Sequence, residues 1–203
     1  MSSGDPAQFG SDRVAGADES YALAERLFGW TAPIQYMWVF PADPGEAVVH
    51  TLANRLARGS FDRRVVRASV PVAHDRWVRS QQPAQVYYEP GRIDDDAIGD
   101  WMDARLRAAV LDPSAGRGFS IQCAHTLSGR FAMALLVSHM IADGQAVYAA
   151  LEAARTDTSR STLPLGHDVS GMRGVLADVQ DVGAQIPAVV TALAVIARAA
   201  ARG

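Results

Sequence analysis

Lysine is absent: the 203-residue chain carries 19 basic side chains, all arginine, against 22 acidic ones, for a formal charge of −3. A nucleic-acid surface normally needs a basic excess or a basic stripe, so this balance argues against nucleic acid as a partner. There is a single cysteine, Cys123, which excludes an internal disulfide and gives no sign of an oxidising compartment. The N-terminus has glycines and acids where a secretion signal would have a basic start and an apolar run, so a cytoplasmic location is expected. Long apolar runs are also missing. The longest, Ile186 to Ala197, has 12 residues and contains Pro187 and Thr191. It falls short of the roughly 20 residues that cross a bilayer. No transmembrane segment is therefore expected, and this stretch should be covered by core, by an oligomer contact or by a further lobe. No G-x-S-x-G elbow, no phosphate-binding G-K-S/T and no metal-ligand spacing among His50, His74, His125 and His167 occurs. These absences set aside a hydrolase triad, a nucleotide loop and a zinc site.

What is present is the composition of a globular chain, 49% hydrophobic and 20% charged, in 21.7 kDa. Residues 1–17 have no periodicity and read as a mobile tail. A helix capped by Asp18 or Ser20 should run to Phe28. A β-branched and aromatic strand follows over Ile34 to Phe40, then an amphipathic helix that ends at Arg58 before Gly59. A second strand is expected from Arg64 to Val70. The segment from Pro71 to Arg92 reads as loop with a short strand at Gln85 to Tyr88. Ile98, Trp101, Leu106 and Val110 mark the apolar stripe of another helix, with Asp94, Asp95 and Asp96 as its N-terminal cap rather than metal ligands. Phe119 to His125 and Phe131 to Ser138 should form a hairpin about Gly129, with Cys123 buried and inert on its first strand. A helix from Gly144 to Arg155 comes next. Residues 156–171 read as a polar linker and 172–203 as a C-terminal helical region, leaving 18–155 as the main lobe.

One segment carries chemistry. In ALLVSHMIADGQAVYAAL an apolar strand runs into His139 and, four residues later, Asp143 and Gly144, before a helix begins. A histidine at the end of a buried strand is held rigidly while its imidazole can face a cleft, as a general base requires. Asp143 sits where a carboxylate can fix the turn, and Gly144 where the chain reverses.

The H-x-x-x-D-G spacing after an apolar strand resembles the signature of the chloramphenicol acetyltransferase superfamily. That superfamily includes peptide-synthetase condensation domains and wax ester synthase-like acyltransferases. The upstream LANRLARGSFDRRVVRAS is similar to the segment that carries the family's structural arginine. The resemblance covers 18–155 and implies an α/β fold, a mixed sheet packed against helices, with an extra C-terminal helical region. It implies that His139 is the base, that Asp143 pairs with Arg67, or failing that Arg64, and that Gly144 shapes the turn. The family usually has two adjacent histidines, and Ser138 stands in place of the first. Ser138 and His125 are candidates for lining the site.

The implied reaction moves an acyl group from a coenzyme A or carrier-protein phosphopantetheine thioester to a hydroxyl or amine of a small-molecule or lipid acceptor. No tightly bound cofactor and no metal is implied. Family members of the condensation type are about twice as long and close their site with a second lobe. The chain therefore corresponds to the N-terminal lobe, to be completed by a separate second-lobe protein or by self-association. The alternative is a non-catalytic lobe that binds a protein or lipid, or one half of a split enzyme.

Overall fold

The computed structural model describes residues 12–14, 16–28, 32–158, 160–169 and 171–200. The element order is α1 (Ala17–Phe28), β1 (Pro33–Phe40), α2 (Glu46–Arg58), β2 (Arg64–Val66), β3 (Arg76–Val78), β4 (Gln85–Ile93) and α3 (Ile98–Arg107). It continues with β5 (Phe119–Thr126), β6 (Phe131–Ser138), α4 (Gly144–Thr156) and α5 (Gly171–Ala200). Four strands form a mixed sheet in the order β1-β6-β5-β4, antiparallel except for the parallel β4–β5 pair. β2 and β3 form a separate two-stranded ribbon.

β6 is apolar on both faces but for Ser138, whereas β5 is apolar mainly on one, its other face carrying Ser120, Gln122 and Thr126 beside Ala124. On one face Ile121, Cys123, Leu135 and Val137 pack in one cluster with α2 (Val49, Ala53) and α4 (Val147, Ala150). On the other, Ala124 and Ala132 are small enough to admit Ile98, Trp101 and Met102 of α3. Cys123 is fully buried, and burial, with the nearby Asp43 charge, pushes its thiol up to about 12, so it is not a nucleophile.

Several expectations change. The second strand stops at Val66, and the presumed loop contains β3. β4 runs on through Pro90 and Gly91, which an outer strand tolerates. α3 ends at Arg107, leaving Val110 exposed. Asp94 makes no side-chain cap, while Asp95 accepts from the N–H and hydroxyl of Ser128 and so fastens the β5–β6 turn. Within the expected tail, Asp12 to Val14 lie beside β3: Trp77 N–H donates to the Asp12 carbonyl, Val14 N–H to that of Asp75, and Val14 is buried. Ala17 of that expectation already begins α1, and residues 1–11 and 15 lie outside the described residues. The expected linker is tied to the lobe by Arg79 N–H on the Pro164 carbonyl and Ser161 N–H on that of Arg58.

α5 is anchored by charge rather than by apolar packing. The buried Asp178 carboxylate receives Arg76 at 3.1 Å, Arg13 at 2.9 Å and the Ser69 N–H at 2.8 Å. One turn on, Asp181 receives the His74 N–H at 2.8 Å.

Candidate active site

His139 follows β6 directly. A tight turn closes over Ser138, whose carbonyl accepts from Ile141 N–H at 2.8 Å and Ala142 N–H at 3.3 Å. Met140, Ile141 and Ala142 are buried and pin this turn to the core. Gly118 is needed for that packing, since a Cβ there would collide with the Ile141 side chain. His139 N–H donates to the Ala32 carbonyl at 3.2 Å, joining the turn to the start of β1. The imidazole is half-buried, with the ring of Tyr21 from α1 stacked on it at a centroid distance of 4.4 Å.

One turn before Tyr21, Asp18 brings a carboxylate into electrostatic reach of His139, Arg63 and Asp143. Burial pushes the Asp18 carboxyl above the usual range; the Arg63 and His139 charges pull it back, and Asp143 adds to the rise. Arg63 is itself shifted down by burial, opposed by Asp18, and its guanidinium lies 5.3 Å over the Trp77 ring. On the other side of the turn, the Tyr36 hydroxyl donates to the Gly144 carbonyl at 3.0 Å, and Tyr148 meets the Tyr36 ring edge-on at 5.3 Å. Burial raises the Tyr36 hydroxyl, helped by Tyr148 and Asp143, so it stays a donor at neutral pH. The site thus has an imidazole on a tight turn, an aromatic wall and a partly buried carboxylate nearby. Neither Asp18 nor Tyr21 was singled out from the sequence as a site residue, because α1 reaches His139 only through tertiary packing across more than a hundred residues.

Other expected site residues stand differently. Asp143 is exposed; its carboxylate accepts from the Ala146 N–H at 2.8 Å and caps α4. Arg67 lies past the end of β2, also exposed, and no ion pair joins the two. A helix N-terminus offers unsatisfied N–H groups two and three residues away, so the local cap takes the carboxylate before a distant cation can. Arg64, the second choice, packs against Gly166 instead. Among these arginines, Arg63 is the one that enters the electrostatics around His139, through Asp18. Gly144 has no steric need to be glycine, since a Cβ would meet only the Tyr36 hydroxyl at 3.5 Å. Ser138 is buried, and strand alternation puts it on the α3 face with Ala134 and Leu136.

His125 does not lie beside His139. It pairs with Phe131 beside the hairpin turn, whereas His139 follows the opposite end of β6, roughly 25 Å away at the rise of a strand. There His125 bonds Asp43 at 3.0 Å. Among the described residues no cluster of His, Cys, Asp and Glu is arranged to hold a metal ion.

No protein-family profile and no curated protein matches the chain. Solved structures do. The first condensation domain of the calcium-dependent antibiotic synthetase, in complex with a substrate analogue, superposes with a TM-score of 0.56 at 16% identity, covering 75% of this chain and 40% of that one. The starter condensation domain of rhizomide synthetase gives a TM-score of 0.55 at 13% identity, covering 84% and 44%. A form of the latter in complex with C8-CoA and Leu-SNAC gives 0.55 at 14% identity, over 71% and 34%. The chain therefore shares the fold of these condensation-domain structures over the part it covers, and it spans less than half the length of these chains. Among the described residues no helix is long and apolar enough to cross a membrane.

Proposed function

We propose that the chain is an acyltransferase lobe that presents His139 to an acyl thioester, on coenzyme A or a phosphopantetheine arm, and to a hydroxyl or amine acceptor. The observation that carries this reading is His139 itself: a half-buried imidazole on a pinned turn at the end of the central strand of a condensation-type sheet. The starter domain that binds C8-CoA and Leu-SNAC shares this fold, which supports a thioester donor.

In this reading an imidazole nitrogen of His139 accepts the proton of the acceptor O–H or N–H as that atom attacks the thioester carbonyl carbon. The C–S bond then breaks, and the departing sulfur takes the proton back from the imidazolium. The new ester or amide and the free thiol leave. Asp18, within electrostatic reach of His139, stabilises the transient imidazolium, and Asp143 holds the turn through the α4 cap. Positioning two substrates on one rigid turn supplies much of the rate. A second lobe or a second copy closes the open side of the site.

The reading is tested by incubating the chain with CoA and pantetheine thioesters of graded acyl length and with hydroxyl and amine acceptors. Thiol release with product formation that is lost in His139→Ala, at unchanged melting temperature, is expected. Turnover that survives the substitution overturns it.

A second reading has its own support. The Tyr21 ring covers one face of the imidazole. A lobe that binds a protein or a lipid without turning over would show the fold and the stacked imidazole but no His139-dependent product.

A further inference from the structure

α5 is amphipathic in an unusual sense, because its charged side faces the protein and its apolar side faces out. Gly174 and Asp178 are buried, and Asp178 and Asp181 take hydrogen bonds from Arg13, Arg76, Ser69 and His74. On the far side Met172 is 88% exposed, Leu176 60%, Val179 53% and Ile186 56%. A continuous stripe of this kind on a surface marks an interaction face.

The spacing says what covers it. Met172, Val179 and Ile186 recur every seven residues, with Val175 and Val182 between them, and in sequence the repeat runs on through Val189, Leu193 and Ile196. Apolar residues at both positions of four successive heptads are the pattern of a helix that pairs with another helix. No ionisable residue stands at these positions or at the flanking Leu176, Gly183, Val190 and Ala197, so two copies of the stripe meet without burying a charge. Twelve described side chains, six from each copy (Met172, Val175, Leu176, Val179, Val182 and Ile186), at roughly 60–120 Å² of apolar area each, bury about 700–1,400 Å², which reaches the size of a specific interface. Pro187 is next to a seam position and not in it. A lipid surface fits less well: an interfacial helix carries several Arg or Lys along its polar side, whereas α5 has only Arg173 and Arg198 and turns Asp178 and Asp181 toward the lobe.

We propose that the chain self-associates through α5, a second copy laying its own α5 along the stripe of Met172, Val175, Leu176, Val179 and Ile186. This surface lies outside the site around His139 and stands or falls independently of the acyltransferase reading.

Sedimentation velocity on the full chain in the micromolar range tests it. The expected mass is about twice 21.7 kDa. Val179→Asp, at a half-exposed position of the single chain, is expected to weaken association at least ~100-fold while the tryptophan near-UV signal of the lobe persists. Ile186→Glu serves as a second variant should the first fail to fold, and Gln180→Glu, off the stripe, is expected to leave the dimer intact. A monomeric wild type, or a dimer indifferent to both stripe substitutions, overturns the proposal. So does a monomer that cosediments with phosphatidylglycerol vesicles and loses that binding in Val179→Asp, which would assign the stripe to a lipid surface.

Discussion

Tyr21 of α1 lies almost parallel to the imidazole of His139, centroids 4.4 Å apart and planes 23° apart. The first described helix is thereby a wall of the site that the sixth strand ends in. Because Tyr21 covers one face of the ring, Tyr21→Ala is expected to raise the rate of His139 carbethoxylation by diethylpyrocarbonate several-fold. Tyr21→Phe, which keeps the ring, should leave it unchanged. Equal reactivity in all three proteins would mean that α1 does not screen His139.

Asp178 ties α5 to the lobe and does so through charge. Burial alone would raise its carboxyl, but hydrogen bonds from Arg76, Ser69 and Arg13 outweigh this and hold it at about 2, against an ordinary 3.8. A carboxyl depressed in the folded state contributes stability above its unfolded value and loses it as pH falls through the folded one. Asp178 should therefore contribute about 2 kcal/mol at neutral pH, lost between about pH 4 and pH 2. Urea denaturation is the measurement: Asp178→Asn, which leaves Arg76 buried without its anion, is expected to cost about 3 kcal/mol at pH 7 and far less at pH 2.

The local cap at Asp143 separates two accounts of the motif. If capping is its role, Asp143→Ala costs about 1 kcal/mol, Asp143→Asn costs little because asparagine caps as well, and Arg67→Ala stays within about 0.5 kcal/mol. A loss of several kcal/mol in Arg67→Ala, coupled to Asp143 in a double-mutant cycle, would restore the long-range ion pair.

Much of the fold could be read from local pattern. The unbroken apolar run from Phe131 to Ser138 is β6 to the residue, and the Asp143-Gly144 boundary starts α4 as its cap chemistry requires. The distance of His125 from His139 was also present in the sequence, since a residue beside a hairpin turn cannot reach the strand's other end. What escaped is nonlocal. β3 is three residues long and is stabilised by partners in β2 and in Asp12 to Val14. Arg76 meets Asp178 across 102 positions. Gly118 is fixed by Ile141, which a sequence shows only as one more glycine before a strand. At the site, His139 was legible from its place after an apolar strand, whereas Asp18, Tyr21 and Arg63 come together only when α1 folds over the turn.

The most direct test of the site follows the five histidines by NMR while a non-cleavable acyl-CoA thioether is added, the His139 resonance being assigned by its loss in His139→Ala. The expected result is a saturable shift of His139, with His50, His125 and His167 unmoved. Binding that leaves His139 unshifted, or no binding at any acyl length, would contradict the assignment of His139 as the group that receives the thioester.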